Sequence, residues 1–71
     1  MMRTIRWGII GTGKIASTFA AALKSMEHTE LAAVASRNLT RAEEFAERFQ
    51  IKKAYGSYEE LAEDPEIDVV Y

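Results

Sequence analysis

Short apolar runs typical of β-strands alternate along this chain with segments whose apolar side chains recur every three to four residues, as in an α-helix. The sequence therefore predicts alternating strands and helices. Residues 4–10 are mostly β-branched or aromatic and end at a glycine turn, so they indicate a buried strand. Residues 14–26 carry large apolar side chains at spacings of four, four and three, and small ones between them. This pattern predicts a helix with a narrow, closely packed face, formed by Ile15, Phe19, Leu23 and Met26 together with Ala16, Ala20 and Ala22.

The rest of the chain continues the same alternation. Residues 31–35 are a continuous run of small apolar side chains, as in a central parallel strand that is covered on both faces. The capping-box pattern Thr40-x-x-Glu43 predicts the start of a second helix, whose buried side consists of Ala42, Phe45, Ala46 and Phe49.

A short third strand is expected at residues 54–55, followed by a second capping box, Ser57-x-x-Glu60, and a short third helix. Asp64-Pro65 ends this helix, because proline biases the preceding residue to extended geometry. Residues 67–71 then predict a fourth strand.

The first strand runs directly into the pattern G-x-G-x-x-A at residues 11–16, and a helix follows. Gly11 permits a tight turn, Gly13 has no side chain to block a pyrophosphate, and Ala16 lets the helix lie close to the strand. The helix N-terminus offers free N–H groups and a positive dipole end to phosphates. In this strand–turn–helix context the pattern indicates a dinucleotide site rather than a glycine-rich turn without a ligand.

The order β-α-β-α-β-α-β has connections too long for hairpins, so right-handed crossovers and a parallel sheet are expected. We therefore predict an α/β, Rossmann-like sheet with strand order 3-2-1-4, by analogy with dinucleotide-binding folds. The chain ends with this fourth strand, whose apolar edge would be exposed. We expect residues 1–71 to be the N-terminal portion of a dinucleotide-binding domain in a longer protein, since a complete protein of this size would cover the edge by forming a homodimer.

The end of the second strand indicates which dinucleotide is bound. An Asp or Glu about 20 residues after the glycine motif binds the adenosine ribose of NAD, but Ser36 stands there and Arg37 follows. A serine hydroxyl, the amide of Asn38 and the planar fork of Arg37 can all hydrogen-bond a 2′-phosphate. Arg41 in the first turn of the second helix opposes the helix dipole, which a nearby anion would explain. The sequence thus predicts NADP; the alternative is that both arginines are solvated surface residues.

The composition of the chain limits the kinds of partner, metal site and cellular location that are expected. The 71 residues are 48% hydrophobic with a net charge of −2 and no cysteine, so nothing indicates a nucleic-acid partner, a disulfide or a thiolate metal site. Met1-Met2-Arg3 precedes a strand rather than a long apolar segment, so we expect no secretory signal, no membrane span and a cytoplasmic location. His28 and the acidic residues 59–68 are interpreted as solvated, without a catalytic or metal-binding role.

Four segments together resemble the glucose–fructose oxidoreductase and inositol dehydrogenase (Gfo/Idh/MocA) family: residues 5–16, 33–38, 53–61 and 67–71. The similarity is greatest to its branch of dihydrodiol and D-xylose dehydrogenases, which use NADP. The resemblance implies that the pyrophosphate contacts Gly11, Thr12, Gly13, Lys14 and Ile15. It also implies that the 2′-phosphate is held by Ser36, Arg37, Asn38 and Arg41.

The same resemblance implies an NADP-dependent dehydrogenase that transfers a hydride to or from a sugar, polyol or dihydrodiol. The family's catalytic lysine lies in a Glu-Lys-Pro motif after a fifth strand, and its other catalytic groups lie in a second domain. Neither is present in these residues, so no catalytic residue is assigned to this chain. Two alternatives stay open: a non-catalytic NADP-sensing module, and a truncated half-Rossmann piece without tight ligand binding.

Overall fold

The computed structural model describes residues 4–71 as alternating strands and helices. Met1-Met2-Arg3, on which the expectation about a secretory signal partly rests, lies outside the described residues. In chain order the elements are β1 Ile5–Ile10, α1 Lys14–Lys24, β2 Thr29–Ala35, α2 Leu39–Phe49, β3 Lys53–Tyr55, α3 Tyr58–Ala62 and β4 Val69–Val70. Every predicted element is present in the predicted order. No helix within residues 4–71 has the length and hydropathy needed to cross a membrane.

The strands form one parallel sheet in the predicted order β3-β2-β1-β4. Ile10 of β1 lies opposite Ala35 of β2, which in turn lies opposite Tyr55 of β3. Three strands therefore end side by side, at what we call the carboxyl edge of the sheet. This edge is where open parallel sheets bind their ligands.

Helices cover both faces of the sheet. On one face Ile9 and Val34 pack with α1 and α2, and on the other Ala33 and Ala35 pack with Leu61 of α3. Residues 31–35 are buried throughout, as predicted for a central strand. Ile9, Val34 and Leu61 are fully buried, and each such side chain contributes about 1.5–3 kcal/mol of hydrophobic stabilisation.

The buried side of α1 agrees only in part with the packing face predicted from the sequence. Ala16, Ala20 and Leu23 face the core, whereas Ile15 is 73% exposed and Met26 is 54% exposed. Leu23, Ala16 and Ala20 are buried as predicted, and Phe19 packs partly buried against the core. Ala22, which was also predicted on this face, is exposed. The helix also ends two residues early, at Lys24.

The starts of α2 and α3 test the two predicted capping boxes. The prediction for α2 is wrong: the helix begins at Leu39, and the Asn38 Oδ1 accepts a hydrogen bond from Arg41 N at 3.3 Å. Thr40 lies inside the first turn. The prediction for α3 is confirmed, since the Ser57 Oγ accepts from Glu60 N at 3.2 Å.

β4 is shorter than the five residues predicted and covers only Val69–Val70. Asp68, just before it, accepts a hydrogen bond from Arg6 N at 2.8 Å and donates its own N–H to Arg6 O at 2.8 Å. After it, Tyr71 N donates to Gly8 O at 2.8 Å. The pairing with β1 therefore extends beyond the strand assigned, and Val69, Val70 and Tyr71 are all substantially exposed.

One acidic residue contradicts the interpretation of residues 59–68 as a solvated face. The side chain of Asp64 is 3% exposed and accepts hydrogen bonds from Tyr55 Oη at 2.7 Å, Glu66 N at 2.8 Å and Lys53 Nζ at 3.0 Å. Lys53 Nζ also pairs with the Glu66 carboxylate. These donors lower the pKa of Asp64 from 3.8 to about 2. The cluster joins β3 to the segment between α3 and β4.

This cluster predicts an acid-dependent loss of stability. Because the pKa of Asp64 is depressed in the folded state, its contribution is complete above the unfolded pKa, near 4, and is lost as the pH falls towards 2. The thermal midpoint of the wild type should fall more steeply between pH 5 and 2 than that of Asp64→Asn, as measured by circular dichroism. Glu63→Gln, at an exposed neighbour, is the matched control and should follow the wild type. Parallel curves for wild type and Asp64→Asn would contradict the assignment.

Candidate functional site

The glycine turn leaves β1 at the carboxyl edge. Gly11 adopts a φ of +101°, in the region that favours glycine, and its N–H donates to Ala35 O at 2.8 Å. Gly13 has ordinary angles, but a Cβ built on it would have no neighbouring atom within 4 Å. Gly11 therefore shapes the turn and Gly13 leaves an open space above it.

The N-terminus of α1 borders this space and has no side-chain cap. Gly13 occupies the cap position, the first turn contains no acidic residue, and Ser17 N is the donor that bonds back to Gly13 O, at 3.0 Å. The N–H groups of the first turn, those of Lys14, Ile15 and Ala16, have no acceptor within the helix. By contrast, Asn38 and Ser57 cap the other two helices. An anion bound at Gly13 would find both hydrogen-bond donors and the positive end of the helix dipole.

The end of β2 carries no carboxylate. Ser36 is 8% exposed, its N–H donates to Tyr55 O at 3.1 Å, and its Oγ accepts from Asn38 N at 3.2 Å. Arg37 is exposed. Asn38 has a role that the sequence interpretation missed: its Oδ1 caps α2. Its Nδ2 group can still donate hydrogen bonds to a ligand.

A groove of about 310 Å³ joins the glycine turn to α2. Thr12 lines it from the turn, and α2 contributes Arg41, Glu44, Phe45 and Arg48. The structure thus brings together two of the predicted site residues, Thr12 and Arg41. Arg48 was missed, although it lies two turns beyond Arg41 on the same face of α2, which the spacing of seven residues indicates. Within the part of the chain described, no ion pair neutralises either arginine.

Lys14 and Ile15 line a different groove, of about 370 Å³, formed by α1 and Tyr71. Its remaining lining residues are largely apolar, and the rings of Phe19 and Tyr71 stack with centroids 3.8 Å apart. At the glycine turn, Lys14 and Ile15 offer their main-chain N–H groups, which have no acceptor within the helix.

The model of the oxidoreductase family with an NAD-binding Rossmann fold (GFO_IDH_MocA) matches residues 5–71. The chain belongs to the Gfo/Idh/MocA oxidoreductase family. The resemblance stated from the sequence is confirmed.

Curated relatives include trans-1,2-dihydrobenzene-1,2-diol dehydrogenases. The one from Danio rerio is 56% identical over 69 residues, which are 94% of this chain and 21% of that protein. The human one is 52% identical over 69 residues, with the same coverage. The chain therefore spans about a fifth of the length of these relatives.

Two solved structures share the fold. A 3-ketoreductase from Actinomadura kijaniata, in complex with NADP and TDP-benzene, has a TM-score of 0.90 and 38% identity over 97% of this chain and 21% of its own. A levoglucosan dehydrogenase in complex with NADH and L-sorbose has a TM-score of 0.91 and 25% identity, again over 97% and 21%. The same backbone thus occurs with either coenzyme.

Adding a methyl group should be costly at Gly11 and almost without effect on stability at Gly13. Gly11→Ala should destabilise the fold by about 1–3 kcal/mol, because alanine must adopt a positive φ. Gly13→Ala, the matched control, should change the free energy of unfolding by less than about 0.5 kcal/mol, since the added atom meets open space. Urea unfolding of both variants measures the difference, and equal effects would contradict these roles.

Proposed function

We propose that this chain binds NADP across the carboxyl edge of its sheet. The observation that carries the proposal is the uncapped N-terminus of α1 beside the open space at Gly13. A diphosphate fits there, because main-chain N–H groups of Gly13, Lys14 and Ile15 supply donors and no side chain occupies the space. Thr12 adds a hydroxyl at the mouth of the groove that leads to α2.

The 2′-phosphate of NADP is assigned to the end of β2. The Ser36 Oγ accepts a hydrogen bond from Asn38 N, and the hydroxyl still has its own proton to donate to a phosphate oxygen. Arg37 and Arg41 bring two positive charges, and the Asn38 Nδ2 brings two N–H donors. Relatives of the same fold occur with NADP and with NADH. The preference must therefore come from individual side chains, and residues 36–38 at the end of β2 contain no carboxylate that would repel the phosphate.

The protein is further proposed to act as an NADP-dependent dehydrogenase on a hydroxyl of a sugar, polyol or dihydrodiol. Support comes from family membership and from dehydrogenases of dihydrodiols at over 50% identity. The coenzyme supplies the hydride chemistry, and the residues described here bind and orient it.

We assign residues 1–71 to the N-terminal portion of the coenzyme-binding domain. A cytoplasmic location and a homodimer formed through β4 stay predictions, the second testable by light scattering.

Replacing Arg37 tests the coenzyme preference. Arg37→Asp removes a charge-assisted hydrogen bond and places a carboxylate where NAD-binding folds carry one. Such a bond contributes about 1.5–3 kcal/mol, so the ratio of NADP to NAD affinity should fall by at least about tenfold. Titration of the complete polypeptide with NADPH and NADH, followed by coenzyme fluorescence, measures this ratio.

Lys52→Asp is the matched control for charge. It changes the net charge by the same amount, but Lys52 is exposed beside the start of β3, at the opposite edge of the sheet. Its ratio of affinities should stay at the wild-type value. An unchanged ratio in Arg37→Asp, or an equal change in both variants, would overturn the assignment of Arg37.

A further inference from the structure

Arg37 rests against an aromatic ring from another element. Its guanidinium carbon lies 5.6 Å from the centroid of the Tyr58 ring, within the range of a cation–π contact. Tyr58 is the first residue of α3, and neither the family match nor the glycine motif gives it a part in coenzyme binding. The contact links the proposed phosphate-binding arginine to the opposite face of the sheet.

The Tyr58 ring sits on a rigid support. It is half-buried and packs against the cluster formed by Ala33, Ala35 and Leu61, all of which are fully buried. The Ser57 cap fixes the first turn of α3 directly beside it. A ring held in this way offers a fixed surface to a long side chain that is otherwise exposed.

The geometry of a guanidinium allows two simultaneous contacts. A stacked cation–π contact uses the flat face of the group, whereas all five N–H donors point outward in its plane. A guanidinium whose face lies over Tyr58 therefore keeps its edge available for phosphate oxygens. Fixing one of the most flexible side chains before the ligand arrives also reduces the entropy lost on binding.

A main-chain hydrogen bond keeps the segments that carry Arg37 and Tyr58 next to each other. Ser36, the residue before Arg37, donates its N–H to Tyr55 O at 3.1 Å, and Tyr55 lies three residues before Tyr58. The end of β2 and the start of α3 therefore cannot separate without breaking the sheet. The main chain thus brings the two residues close, and the guanidinium carbon lies 5.6 Å from the ring centroid.

We propose that Tyr58 is a positioning residue for coenzyme selectivity, which holds the Arg37 guanidinium with its donor edge towards the 2′-phosphate of NADP. This inference rests on the proposed binding of NADP by Arg37. It predicts that the ring matters only when both Arg37 and a 2′-phosphate are present.

A double-mutant cycle in the complete polypeptide tests this dependence. Dissociation constants for NADPH and NADH are measured for the wild type, Tyr58→Leu, Arg37→Gln and the double variant. Tyr58→Leu, which removes the ring and keeps an apolar side chain, should weaken NADPH binding about two- to fivefold and leave NADH binding unchanged. In the Arg37→Gln background it should have no further effect on NADPH. Tyr58→Phe keeps the ring and should bind both coenzymes as the wild type does.

The outcomes separate this inference from the function on which it rests. If Arg37→Gln leaves the ratio of NADPH to NADH affinity unchanged, the proposed role of Arg37 fails. If Arg37→Gln lowers the ratio and Tyr58→Leu does not, only the positioning role is overturned. Equal weakening of both coenzymes, or the same loss in both backgrounds, assigns Tyr58 a structural role and also overturns the inference. Tyr58→Met, a second variant without the ring, replaces Tyr58→Leu if that variant does not fold.

Discussion

The hydrogen bond from Gly11 N to Ala35 O, 2.8 Å long, joins the two halves of the candidate site. It fastens the turn after β1 to the end of β2, so the uncapped start of α1 and the residues 36–38 lie at one edge of the sheet. The positive φ of Gly11 is what lets the chain make this bond and still enter α1. A dinucleotide that reaches from a diphosphate to an adenosine ribose requires this juxtaposition.

Packing on both faces holds that edge in place. On one face, Ala16, Ala20 and Leu23 of α1 pack into the core beside Ile9 and Val34 of the sheet. On the other face, α3 and the Asp64 cluster secure β3, whose last residue accepts the hydrogen bond of Ser36. The contact between Tyr58 and Arg37 joins the proposed phosphate-binding arginine to α3 on this second face.

Sequence patterns were sufficient for the elements and the glycine turn, because hydrophobic period and glycine spacing are local signals. The strand order in the sheet was predicted by analogy with dinucleotide-binding folds and is confirmed. They failed where neighbouring residues compete for one role. Asn38 rather than Thr40 caps α2. Ile15, Ala22 and Met26 were expected on the packing face of the first helix but are exposed. Burial of Asp64 depends on donors 9 and 11 residues away in the chain, and the groove beside Arg48 depends on how α2 packs near Thr12. Neither is a property of a short sequence window.

The most direct test of the account is a crystal structure of the complete polypeptide with NADP bound. The account predicts diphosphate oxygens within hydrogen-bond distance of the main-chain N–H groups of Gly13, Lys14 and Ile15, about 2.7–3.2 Å. It also predicts the 2′-phosphate beside Ser36 and Arg37. Coenzyme density at another surface, with the Gly11–Gly13 turn empty, would contradict it.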